Sequence, residues 1–346
     1  MNRPYFKLFA NCIPVKGFRR SIICDLQRNQ FDFIPNDLFR ILEELKAKEY
    51  SKIKEPLSVE DAETLDEYFD FLIKKEYGFW CSGEELKCFP ELDLSFETPS
   101  IITNAIIDVD FNSGHDFESI YSQLNDLGCK DLQIRFFKEI TLAELSDVIR
   151  PLLTNRIRSI HLVIPTSAEF TEEALKALCR RNMKIVNIII PGSSENRTTL
   201  VGLDSYTSLS FVSQKIDGCG HCGNIHHSFF TINIQSFTES LQYNSCLNRK
   251  ISIDIDGNIK NCPSLDSSFG SIKTVSLKEA LKHPNFKTLW GIHKDQIEEC
   301  MDCEFRHICT DCRAYLSDPN NKYSKPLKCT YNPYTATWQD KKLNVE

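Results

Sequence analysis

The first third of the chain alternates apolar and polar positions with a two-residue period, then shifts to helical spacing. Residues 5–13 (YFKLFANCI) read as a strand, as do 18–25 and 30–34, the last two joined by the turn-like Gln27-Arg28-Asn29. Pro35 opens a helix in which Leu38, Ile41, Leu42 and Leu45 recur at helical spacing. A second helix is expected at about 59–75, with Ser58 as N-cap and Leu65, Tyr68, Phe69 and Leu72 along one face. Gly83, Pro90 and Pro99 then break all periodicity over 78–100, which marks a boundary. From 101 the rhythm becomes strand, helix, strand. Strands are expected at 101–109, 132–137, 159–164 and 184–190, and helices at 116–127, 141–152 and 171–181. Repeated βα units imply a mostly parallel sheet, open or curled into part of a barrel. Further on, Asp256-Gly257 between two short apolar runs is a hairpin signal, and 276–290 reads as a helix interrupted at Pro284.

These elements place the chain in the α/β class with three consecutive modules. Residues 1–95 form a small winged-helix-like unit whose edge strand could add a peptide by strand pairing. Residues 96–215 form the βα region, and 216–346 a cysteine-rich tail.

Composition narrows the function classes. The 346 residues are 41% apolar and 26% charged, near the values of soluble globular chains. The net charge of −7 gives no basic bias toward nucleic acid. No apolar run approaches a membrane span, and the first residues lack the pattern of a secretory signal. A cytoplasmic chain is therefore expected, in which 15 cysteines point to metal rather than disulfides. Cys12, Cys24, Cys88, Cys129 and Cys179 lie in apolar patterns and read as buried structural thiols.

The tail carries the chemistry. Cys246, Gly257 and Cys262 form C-x10-G-x4-C, Cys300, Cys303, Cys309 and Cys312 form C-x2-C-x5-C-x2-C, and Cys329 follows. Thiolates so spaced can converge on zinc or on iron–sulfur clusters, both of which favour four sulfur ligands. Seven cysteines are one short of two such sites. Cys222, on a loop flanked by Gly220 and Gly223, is the candidate eighth, with Cys219 as competitor. His221, His226 and His227 are further candidates nearby, and Arg249, Arg306 and Arg313 neighbour the cysteines as possible donors to sulfur. In the βα region, Gly114-His115-Asp116 follows the first strand, where parallel α/β proteins bind ligands.

The tail resembles the SPASM domain, the auxiliary iron–sulfur domain of radical-SAM peptide maturases, over roughly 246–330. Cys309 and Cys312 enclose two residues where that family usually has three. The phrases Cys246-Leu-Asn-Arg-Lys250, Lys260-Asn-Cys-Pro-Ser264, Cys303-Glu-Phe-Arg306, Asp311-Cys-Arg-Ala-Tyr315 and Tyr331-Asn-Pro-Tyr334 resemble a narrower group. This group is the SPASM-domain maturases of grasp-with-spasm systems, encoded beside an ATP-grasp ligase and a precursor peptide. The resemblance implies two 4Fe–4S clusters. Cys300, Cys303, Cys309 and Cys329 would hold one, and Cys246, Cys262, Cys312 and Cys222 the other. It also implies a role in maturing a ribosomally made peptide, with the precursor and the ligase as partners. Zinc remains the alternative metal, an interaction protein or an iron–sulfur enzyme the alternative functions.

Radical-SAM enzymes hold their catalytic cluster with C-x3-C-x2-C after the first barrel strand, and that motif occurs nowhere in this chain. Radical-SAM catalysis is therefore not expected. Phosphate-loop, G-x-S-x-G and H-E-x-x-H motifs are also missing from the sequence.

Overall fold

The computed structural model describes residues 4–46, 48–202 and 206–339. In chain order, β1 (Tyr5–Leu8), β2 (Cys12–Val15), β3 (Ser21–Asp25) and β4 (Gln30–Ile34) precede α1 (Asn36–Leu45), α2 (Tyr50–Lys54), α3 (Val59–Lys74), β5 (Gly78–Cys81) and α4 (Gly83–Leu86). The βα region comprises β6 (Asn104–Val109), α5 (Phe117–Asp126), β7 (Asp131–Phe136), α6 (Leu142–Ile149), β8 (Ser159–Val163), α7 (Glu172–Arg181) and β9 (Ile185–Pro191). After it come β10 (Arg197–Leu200), β11 (Ser208–Val212), α8 (Ile234–Gln242), β12 (Lys250–Ile253), β13 (Ile259–Lys260), α9 (Leu277–Ala280), β14 (Tyr331–Asn332) and β15 (Thr337–Trp338). No helix among the described residues is long and apolar enough to cross a membrane.

The chain packs as two compact units, and both are built from separated segments. One gathers residues 1–96, 224–245 and 292–346; the other gathers 97–223 and 246–291. The consecutive modules expected from the sequence thus differ from the packing, because the 216–346 stretch contributes to both units. The reason is strand pairing: β12 lies parallel to β6, with Ile251 opposite Ala105 and Ile253 opposite Ile107. Residues 246–291 are thereby drawn into the second unit.

In the first unit, β2, β3 and β4 form an antiparallel sheet, while β1 pairs only with β5. The single strand expected over 5–13 is therefore two strands with different partners, separated by a turn that the Cys12 N–H to Phe9 carbonyl bond closes. Helices α1 and α3 form as their apolar spacing requires, and the Ser58 side chain caps α3 by accepting from Asp61 N–H. Leu38 and Leu42 of α1 join Leu65, Phe69 and Leu72 of α3 in a core with Phe6 and Ile34. The other face of the three-stranded sheet contributes Val15, Ile22 and Cys24 to a second core, shared with Phe237, Phe305, Ile308, Cys309 and Tyr331. The amino-terminal strands and the cysteine-rich end thus share one hydrophobic core.

Gly17 marks the closest approach in that core. A Cβ there would lie 2.4 Å from the Arg20 carbonyl oxygen and 2.8 Å from Glu304 Cβ. Both neighbours resist movement, because one is backbone and the other is anchored by the Arg20 Nε bond to Glu304 Oε1 at 2.8 Å. Gly17→Ala is expected to destabilise the unit by about 1–3 kcal/mol through overpacking. Chemical denaturation of the two proteins measures the difference, and unchanged stability would contradict this packing.

The second unit holds an eight-stranded sheet in the order β10-β11-β9-β8-β7-β6-β12-β13. The pairs from β11 through β12 are all parallel, and only the two edge pairs are antiparallel. Strands β6 to β9 are consecutive neighbours joined by α5, α6 and α7, which capping by Asp116, Thr141 and Thr171 helps to start. Alternate strand residues, such as Ile107, Ile134, Leu162 and Ile188, meet Ile120, Leu145 and Leu175 of the helices in one core. The intervening residues Asp108 and Arg135 point to the opposite face, as the period of two demands.

Two sequence expectations are corrected here. The helix expected over 276–290 is only α9, Leu277–Ala280, followed by turns; Pro284 cannot donate a helical hydrogen bond. Cys88 is exposed rather than buried. It follows the one-turn helix α4, where the chain leaves the core. Cys12, Cys24, Cys129 and Cys179 are buried.

Candidate metal centres

In the first unit Cys300 opens a short 3-10 turn, Cys300–Asp302, and the Cys303 N–H returns to the Cys300 carbonyl at 3.0 Å. Cys329 is brought in by a parallel bridge with Ile225. Cys300, Cys309 and Cys312 are buried, and Cys303 and Cys329 half-buried. The knot is braced from behind by a buried ion pair, Arg313 Nη2 to Asp311 Oδ1 at 2.6 Å. Asn244 also donates to Asp311, and Arg313 donates to the Ser324 carbonyl at 2.7 Å. Burial pushes the Cys300 thiol up to about 12 and raises Cys309 and Cys303 as well, against the opposing pull of Lys294 on Cys300 and Cys309.

Lys294 is the residue the sequence did not disclose. It is 4% exposed, and its Nζ donates to Cys309 Sγ at 3.4 Å. Burial alone would lower its pKa, but Cys309 and Cys300, with Asp311 and Cys329, outweigh burial and raise it.

The second unit repeats this arrangement with other residues. Cys246 precedes β12, and Cys262 follows β13 across a hairpin whose Gly257 has a φ of +84°, a conformation that favours glycine. Asp254 Oδ1 accepts from the N–H groups of Asp256 and Asn258 and fixes that turn. This is the physical reason for a glycine between the two cysteines. Lys250 Nζ donates to Cys246 Sγ at 3.2 Å. Burial works to lower the Lys250 pKa, and Cys246, Cys262 and Cys222 together raise it. Burial pushes Cys262 up to about 11, with Lys250 opposing. Cys222 Sγ lies 3.4 Å from Ser264 Oγ and donates to the Cys219 carbonyl at 3.2 Å. Arg135, clamped on Asp108, also feels the charge of Cys222 and Cys262. Cys222, Cys246 and Cys262 thus all bear on Lys250, while Cys312 belongs to the first unit.

The other candidates take different places. His221 Nε2 lies 2.9 Å from Asp217 Oδ1, and the His226 side chain caps a 3-10 turn by accepting from Ser228 N–H. His227 stacks near His226, their ring centroids 3.9 Å apart. His115 Nε2 lies 2.8 Å from the Asp108 carbonyl oxygen, and Asp116 caps α5. Arg249 donates to the Ser100 carbonyl, and Arg306 pairs with Asp295 at 2.7 Å. Lys250 and Lys294, not these arginines, donate to the sulfurs of Cys246 and Cys309. Lys250 had a signal, four residues beyond Cys246. Lys294 had none, since His293-Lys-Asp-Gln296 reads as surface.

Among the described residues, no three Cys, His, Asp or Glu side chains are arranged to hold a single metal ion. The donor sets nevertheless fit a sulfur-ligated, anionic group. A buried ammonium costs several kcal/mol unless an opposite charge faces it, and protonated thiols do not supply one. Thiolates bound to a cluster do, and loading such a site releases the thiol protons.

Residues 245–304 match the family model of the SPASM domain, an iron–sulfur cluster-binding domain. The match includes Cys246, Gly257, Cys262, Cys300 and Cys303, together with both lysines. No curated protein matches the chain.

Proposed function

We propose that this protein matures a ribosomally synthesised peptide as the iron–sulfur partner of an ATP-grasp ligase, in a grasp-with-spasm type of system. The observation that carries the reading is the pairing of each cysteine set with a lysine ammonium, inside and beside a SPASM match. Cys300, Cys303, Cys309 and Cys329 hold one 4Fe–4S cluster. Cys222, Cys246 and Cys262 are ligands of the second. When bound, such clusters supply redox capacity.

The chain's own residues divide the remaining work. The β6–β9 region, which lacks C-x3-C-x2-C, is a scaffold in the manner of a degenerate radical-SAM barrel. The amino-terminal elements act as a winged-helix-like reader of the precursor. A cavity of about 390 Å³ supports this, lined by Phe6, Leu8, Ile13, Leu42, Leu86 and Leu94 among others. Strand β1, which pairs only with β5 among the described strands, borders it and can add an extended apolar peptide. The ligase then closes ester or amide links in the peptide held beside it: ATP phosphorylates a peptide carboxylate, giving ADP, and the hydroxyl or amine displaces phosphate.

The test is reconstitution of the full chain with precursor and ligase. Each link closed removes one water, which mass spectrometry reads directly. Leu94→Glu, which puts a carboxylate among the apolar side chains of the lining, is expected to reduce precursor binding at least tenfold. Full modification without this protein, or unchanged binding by the variant together with unchanged modification, would sink the proposal.

A further inference from the structure

We infer that Lys250 and Lys294 are the counter-charges of two separate iron–sulfur centres, and that each sets the reduction potential of its own centre. The inference rests on the cluster reading above and goes beyond it by assigning a role to residues that ligate nothing.

The geometry is the same in both units, although the sequences around the two lysines are unrelated. Lys294 leaves a 3-10 turn, Lys294–Gln296, and its Nζ reaches Cys309 Sγ at 3.4 Å from a site 4% exposed. Lys250 is the first residue of β12, opposite Asn104 of β6, so the sheet itself holds it where its Nζ meets Cys246 Sγ at 3.2 Å. Other lysines of this protein find carboxylates: Lys54 meets Asp66, Lys75 meets Asp32 at 2.9 Å, and Lys325 meets Glu299 at 2.7 Å. Among the described residues, neither Lys250 nor Lys294 has a carboxylate oxygen within ion-pair distance, and each directs its ammonium at sulfur. Asp311, whose charge also acts on Lys294, is already paired with Arg313.

One-electron reduction adds a negative charge to a cluster already carrying thiolate charge. A fixed cation beside a ligating sulfur stabilises the reduced form more than the oxidised form. In a water-poor interior this difference is larger than at a surface, and hydrogen bonds to the sulfurs are an established control on cluster potential. Removing the cation should therefore lower the potential of that centre and leave the other unchanged.

The experiment uses the full chain, reconstituted anaerobically with iron and sulfide, as wild type, Lys250→Met, Lys294→Met and the corresponding arginine variants. Iron and sulfide are quantified, and reduction is followed by electron paramagnetic resonance in a mediated titration. Each methionine variant is expected to show at least a tenfold fall in the ratio of reduced to oxidised centre at fixed potential, about 59 mV for one electron. The shift should appear in one centre only, a different one for each lysine, and arginine should restore it. A methionine variant that fails to assemble its centre supports the inference if arginine restores assembly, and overturns it if arginine does not. Unchanged potentials, or equal shifts in methionine and arginine variants, also overturn it. A wild type that takes up no iron overturns the cluster reading itself, a result distinct from loaded protein with unmoved potentials.

Discussion

Arg135→Met is expected to destabilise the unit that carries the sheet by about 3–5 kcal/mol, the cost of leaving a buried charge without its partner. The Arg135 guanidinium grips Asp108 with two bonds of 2.7 Å, and the two side chains are only 8% and 3% exposed. Burial already raises the Asp108 pKa above its ordinary value, with Arg135 pulling it back. Without Arg135 the carboxylate loses its main counter-charge. The deficit is largest near neutral pH. It shrinks as pH falls, because a folded pKa raised above the unfolded value lets the folded state take up the proton first. The double variant Asp108→Leu/Arg135→Met removes both charges and is expected to recover most of the loss. Denaturant unfolding of the single and double variants at two pH values measures all of this. A single variant as stable as wild type at pH 7 would contradict the pairing.

The second large effect concerns the metal content. The full chain, purified anaerobically, is expected to be brown and to bind about eight iron atoms, as two four-iron clusters require. Cys300→Ala/Cys309→Ala should remove one cluster, and Cys222→Ala/Cys246→Ala the other, so that each halves the iron. Cys88→Ala, at an exposed position, should leave iron unchanged. Iron, sulfide and zinc analysis reads the outcome. Colourless protein with stoichiometric zinc would replace the cluster assignment with the zinc alternative. Loss of all iron in one double variant would mean the two sets do not load independently.

The site was unevenly legible. The cysteines announce themselves because their spacing is itself the chemistry, and Gly257 because a tight hairpin needs its positive φ. Helices α1, α3 and α5–α7 follow from apolar periodicity and capping residues. The partition of the tail was not legible, since strand pairing between β12 and β6 joins residues about 145 positions apart in the chain, as in the match of Ile251 with Ala105. The Asp108–Arg135 pair was hidden for a related reason. Two charged residues inside strands reveal their mutual contact only once β6 and β7 align side by side with Asp108 opposite Arg135.

By itself, then, the amino-acid order determined the local grammar of this protein: its main helices α1, α3 and α5–α7, the parallel strands between them, the hairpin at Asp256-Gly257, and that its tail is built to present thiols. Those features depend on residues a few positions apart, whose interactions survive in any global arrangement. The tertiary structure alone decided that the tail divides between two units, and that the cations donating to sulfur are Lys250 and Lys294 rather than the neighbouring arginines. A lysine has the same composition and pattern whether it reaches solvent or a thiol. Only long-range packing removes the water around it and makes its charge part of the site.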